Sequence, residues 1–152
     1  MQEAGIYARE SAYLDCVVQV GFAGGKVISL SFPATADDNA AEAADLLDRI
    51  DRYLEGAHDD FVDVEVGLTV PTRQRAVLEA LRKVPYGEQV SVERLARLTP
   101  DLDPDDEDDG ELVRTALADN PVPLIIPDHR VRDGPSAAPP DVEQKLRSLE
   151  GL

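Results

Sequence analysis

Two apolar-rich runs, Tyr13–Phe22 and Lys26–Phe32, flank the turn residues Ala23-Gly24-Gly25 and predict a pair of β-strands. Ala40–Leu54 then changes period. Ala43, Leu46, Leu47, Ile50, Tyr53 and Leu54 fall on one side of a helix, with Asp45, Asp48, Asp51 and Arg52 largely on the other. Phe61–Val66 alternates apolar with acidic residues, the pattern of a half-buried strand. The chain divides near Val70-Pro71, so two units are expected, residues 1–70 with a small mixed sheet and a helix, and residues 71–152. Beyond the division the pattern is helical. Val77, Leu78, Leu81 and Val84 form one stripe over Thr72–Val84, which Pro85-Tyr86-Gly87 terminates. Ser91 is placed to N-cap Val92–Leu98, and Glu93 suits the positive helix end. Helices over Glu111–Asp119 and Asp141–Leu149 follow. Two short helices about a turn are either a DNA-binding helix-turn-helix or a plain αα-hairpin. Leu124-Ile125-Ile126 is an apolar, strand-like run that stops at Pro127, ahead of Asp128, His129 and Arg130. The fold class is α/β in the α+β sense.

Charge changes the picture. The 152 residues carry 31 acidic against 15 basic side chains, a formal charge of −16, and Lys26, Lys83 and Lys145 are the only lysines. Self-repulsion of that size works against a compact state in dilute buffer. At about 1 M salt the Debye length falls to about 3 Å and most of it is screened. The surface is that of a protein from a salt-accumulating halophile or, as the alternative, of an acidic mesophilic protein. Cys16, the only cysteine, can form no intramolecular disulfide, and in an apolar strand it is expected to be inert packing. Met1-Gln2-Glu3-Ala4-Gly5 has neither a basic leader nor an apolar h-region, and no run is long enough to span a membrane. The expectation is a soluble, cytoplasmic monomer with no membrane contact.

The segment Asp101–Glu111 holds eight carboxylates and no base. It reads as a solvated loop, as a mimic of nucleic acid that blocks a binding face, or as a site for a basic partner. Pro104 and the absence of Ca²⁺-loop spacing argue against a dedicated metal site, so neither metal nor cofactor is expected.

Asn120-Pro121 and Pro127-Asp128-His129-Arg130-Val131 resemble motifs of the alkylguanine-DNA alkyltransferases, also called methylated-DNA–protein-cysteine methyltransferases, whose second motif reads Pro-Cys-His-Arg-Val. Pro85-Tyr86-Gly87 with Ser91, Leu95-Ala96, Leu149-Glu150-Gly151, and Gln74 with Val77 are similar to further blocks of that family, in the same order, between about Thr72 and Leu152. The resemblance implies a ribonuclease-H-like scaffold domain without chemistry, then a helix-turn-helix (winged-helix-like) alkyltransferase domain. It also implies double-stranded or alkylated DNA as partner, with a repair protein beside it.

In the family, a cysteine ionised through a Glu–His–water relay takes an alkyl group from a flipped guanine. His129 and Glu150 match the relay, Asn120 matches the turn-shaping asparagine, and Asp128 holds the cysteine position. Glu111 stands where the family has the arginine that fills the flipped nucleotide's gap, and Val92 where it has a phosphate-rotating tyrosine. Asp133–Pro140 is shorter than its counterpart and lacks the Tyr-x-Gly-Gly run that lines the nucleotide pocket. Phosphate contacts are expected from Arg94, Arg97, Arg114 and Arg130, and the turn motif is Pro85, Tyr86, Gly87 and Ser91. Asp128 has three possible fates: a structural acceptor, a ligand for a cation or polar molecule, or a nucleophile. Two function classes follow, a non-enzymatic binder of DNA or damaged DNA without the alkyl acceptor, and a repurposed protein-interaction module.

Overall fold

Strand β1 (Gly5–Ser11) pairs antiparallel with β2 (Cys16–Ala23), and β2 pairs antiparallel with β3 (Lys26–Ser31), giving the sheet order β1-β2-β3. This computed structural model describes residues 3–152; Met1 and Gln2, on which part of the N-terminal reading falls, lie outside the described residues. The predicted strand Tyr13–Phe22 starts later, at Cys16, because the β1–β2 hairpin turns through residues 12–15, with Asp15 at φ 56°. β1 is an element that the sequence pattern does not predict: Arg9 and Glu10 interrupt its apolar positions. Parallel pairing enters through isolated bridges, Tyr7 with Ala41 and Val27 with Val66.

Helix α1 (Asp45–Leu54) starts five residues after the predicted Ala40. Ala41 is held extended against β1, where its N–H donates to Ile6 O at 3.0 Å, and Ala44 is extended too, so helical hydrogen bonding cannot begin earlier. Phe61–Val66 is not a strand. Phe61 sits at φ 52° with its N–H on Asp59 Oδ1, and Val66 contributes one bridge. Apolar–acidic alternation here records a buried Phe61 and a looping backbone whose carbonyls at Phe61 and Val64 accept from Arg82.

Helices α2 (Thr72–Leu81), α3 (Val92–Leu98) and α4 (Glu107–Ala118) pack on one another, and α5 (Pro140–Glu150) closes the chain. Ser91 caps α3 by accepting from the Arg94 N–H at 3.0 Å. α4 begins four residues before the predicted Glu111. Asp106 accepts from the Asp108 and Asp109 amides, and the acidic first turn lies at the positive end of the helix. The acidic run is thus partly helix, not wholly loop. Leu124-Ile125-Ile126 is a buried turn instead of a strand, with Leu124 at φ 78°. One buried cluster runs through both halves, joining Val20, Ile50 and Tyr53 to Leu81, Leu117 and Ile125. The Leu30 N–H donates to Pro121 O at 2.9 Å and ties β3 to the segment that carries the turn.

Candidate functional site

The turn is built by Asn120. Its Oδ1 accepts from the Val122 N–H and its Nδ2 donates to Ile126 O, both at 3.0 Å, so one side chain satisfies polar groups that an irregular buried backbone would otherwise leave unpaired. The same Nδ2 donates to Asp128 Oδ2 at 3.0 Å. Pro127 then leads into a single 3₁₀ turn, Asp128–Arg130, all three residues of which are buried. Main-chain bonds from the Val90 N–H to Arg130 O and from the Arg132 N–H to Val90 O fasten this turn beside the start of α3.

Asp128 is 1 % exposed. Besides Asn120, its carboxyl is bonded to Ser136 Oγ at 2.5 Å and to the Ala137 N–H at 2.9 Å. Burial raises this carboxyl above the usual carboxylate range, against Ser136, the Ala137 amide, His129 and Asn120, which all act to lower it. Of the three fates open in the sequence, this geometry is that of a structural acceptor, bonded to neighbours and not to the His129 ring.

His129 Nε2 lies 2.6 Å from Glu150 Oε2. An ionised carboxylate offers only lone pairs, so Nε2 carries the hydrogen; Nδ1 is buried with no hydrogen-bond partner among the described residues. Glu150 also accepts from Tyr53 Oη, from Arg130 Nε at 2.8 Å and from the Gly87 N–H at 2.9 Å. The Pro85-Tyr86-Gly87 turn therefore meets the C-terminal Glu150. Gly87 has φ 78°, a backbone region that disfavours a side chain. Tyr86 donates its N–H to Asp60 Oδ1 at 2.5 Å and its hydroxyl to Leu149 O at 3.3 Å.

Arg130 requires a correction. It is 2 % exposed, with Nε and Nη2 on Glu150 and Nη1 on Val84 O, so it is a buried counter-ion and has no free face for a phosphate. Arg94, Arg97 and Arg114 are exposed, Arg97 pairing with Glu93 at 3.1 Å. Arg114 lines a groove of about 530 Å³ between α3 and the start of α4. Seven carboxylates line it too, among them Glu107, Asp108 and Glu111, so the potential there is negative.

Three contributors went unread in the sequence. Tyr53 belongs to the apolar stripe of α1 and reads as core, yet its hydroxyl reaches Glu150. Ser136 lies in a Pro/Ala-rich loop without a motif. Arg147 of α5 donates to His129 O and Val131 O, fixing the turn from below. Only its place one helical turn from Glu150 hints at that role.

The family model for the 6-O-methylguanine DNA methyltransferase, DNA binding domain, matches residues 72–150. A methylated-DNA–protein-cysteine methyltransferase of Metallosphaera sedula is 28 % identical over 133 residues, covering 83 % of this chain and 81 % of its own. Another, of Methanopyrus kandleri, is 35 % identical over 103 residues, covering 66 % and 73 %. A crystal structure of Mycobacterium tuberculosis OGT in complex with DNA superposes with a TM-score of 0.69 at 22 % identity, over 97 % of this chain and 91 % of that one, and shows the shared fold. The family match takes in more than half of the sequence and the whole Asn120–Asp128–Glu150 site, and the chain belongs to the 6-O-methylguanine DNA methyltransferase family.

Proposed function

We propose that this protein is a DNA-binding member of its family that accepts no alkyl group. The observation that carries this reading is Asp128. At the family's cysteine position stands a carboxyl that is 1 % exposed, with both oxygens hydrogen-bonded to Asn120, Ser136 and Ala137. Attack on an alkyl carbon needs a lone pair free to align with the bond that breaks, and a carboxylate is a much poorer soft nucleophile than a thiolate. DNA as partner is supported by the matched DNA-binding domain and by the relative bound to DNA. The exposed Arg94, Arg97 and Arg114 supply the phosphate contacts, and lesion recognition without repair passes the damage to another repair protein. The excess of acidic residues suits work in the cytoplasm of a salt-accumulating cell.

Incubation with benzylguanine-bearing DNA followed by intact-mass spectrometry should show no adduct, and a stoichiometric mass increase on Asp128 would refute the reading. Binding to an O6-alkylguanine duplex, followed by anisotropy, should be weak and fall with salt, with a log–log slope of about −0.9 per phosphate neutralised. One observation favours the other reading, an interaction module that has left DNA: the α3–α4 groove holds a single guanidinium, Arg114, among its carboxylates. Absence of DNA binding even at low salt would select it.

A further inference from the structure

The segment from Arg132 to Pro139 crosses from the Asp128 turn to α5 without regular structure and is fastened at two places. Near its start, Asp133 Oδ1 accepts from the Val92 N–H, the first amide of α3, at 2.7 Å. Further on, Ser136 and Ala137 bond to Asp128. Between these points Gly134 presses into the helices. A Cβ there would meet Leu117 Cδ1 at 2.7 Å, and the Val131 and Val92 methyls at 3.1 Å. Val92 and Asp133 also line the α3–α4 groove, whereas Asp128, beneath the far part of the segment, is 1 % exposed.

We propose that residues 133–138 form a strap that closes the α3–α4 groove off from the Asp128 turn, that Asp128 is the pin holding it, and that loss of the pin extends the groove to the family's acceptor position. The inference does not depend on whether DNA is bound. The pin works through hydrogen bonding and not through charge. Oδ2 accepts two N–H groups, and Oδ1 faces a hydroxyl that can donate to it or accept from it, Ser136 Oγ itself accepting from the Ala138 N–H at 3.1 Å. An asparagine reproduces this pattern, its oxygen taking both N–H groups and its amide donating to Ser136. An alanine leaves the half-buried Ala137 N–H unpaired and the buried Asn120 amide with only its bond to Ile126 O.

Amide hydrogen exchange of the full chain tests the proposal. In Asp128→Ala, exchange at Ala137 and Ala138 should accelerate about tenfold or more relative to amides within α2. Asp128→Asn should stay within about threefold of the parent. Ser136→Ala, which keeps the Ala137 bond, should lie between them and serves in its place if Asp128→Ala does not fold. Access has its own readout: on a Cys16→Ser background, Asp128→Cys offers the pin's donors only a weak sulfur acceptor, and its thiol should react with iodoacetamide in native buffer. Unchanged exchange in the Ala variants, Asn behaving like Ala, or an inert thiol at position 128 would each overturn the strap.

Discussion

Burial alone would raise the Glu150 carboxyl, but His129, Arg130 and the Gly87 amide hold it down to about 2. Asp128 is raised instead, because its donors do not offset its burial. The two shifts have opposite consequences. Glu150, depressed in the folded state, contributes stability that is present above its unfolded value of 4.5 and is lost as the pH falls towards 2. Asp128, raised in the folded state, contributes stability that is complete below its unfolded value of 3.8 and is lost as the pH rises through its folded value. The groups bonded to or acting on Asp128 are His129, Asn120, Ser136 and the Ala137 amide, of which only His129 is titratable. Glu150→Gln should therefore abolish much of the acid-side loss and lower stability at neutral pH by about 3–5 kcal/mol, since it leaves Arg130 buried without its counter-charge. Asp128→Asn should flatten the loss that sets in as the pH rises above 3.8. Urea-unfolding midpoints from pH 2 to pH 9 check both, and profiles parallel to the parent's would contradict the assignments.

At the scale of elements, the start of α4 decides how the helix-turn-helix face meets a polyanion. Asp106 is the cap and Asp109 bonds both Arg73 and the Asp103 amide, so these two hold the local structure. Asp105, Glu107 and Asp108 are exposed beside the groove. Neutralising those three as Asn, Gln and Asn should tighten duplex binding at low salt several-fold, because each opposes the phosphates at close range. Unaltered affinity would mean that this face does not touch the duplex. Asp106→Ala should cost about 1 kcal/mol through loss of the cap, measured by chemical unfolding.

Local chemistry makes α2, α3 and the N-cap of α3 legible: a stripe of apolar residues, Ser91 at the entry of α3, and Gly87, where φ is positive, in the turn between the helices, although α2 ends at Leu81 and not at the expected Val84. The start of α4 was hidden because Asp residues read as loop until one of them caps a helix. The burial of Arg130 is not legible locally, because nothing near it in the chain shows that Glu150, 20 residues away, takes its charge. Tyr53 was missed because its partner lies 97 residues off.

Across the whole molecule, charge is the dominant liability. Arg9 engages Asp48 and Asp51, and Arg49 engages Asp59 and Asp63, yet the net charge remains −16. Half-exposed pairs of this kind contribute little individually, so screening by ions should outweigh their weakening. The thermal midpoint should rise steadily from dilute buffer to about 1 M KCl, where the Debye length is about 3 Å. A midpoint independent of salt would assign the acidity to an ordinary mesophilic surface. The continuous core has a further consequence. Tyr53 on one side of Val70-Pro71 completes the hydrogen bonding of Glu150 on the other, and Leu30 is bonded to Pro121 across the same divide. A chain cut at that point would yield two pieces, each with an exposed apolar face and severed polar contacts. Neither piece should hold its structure alone, but mixed together they should reassemble, so the joint between the halves is a natural place for a split reporter.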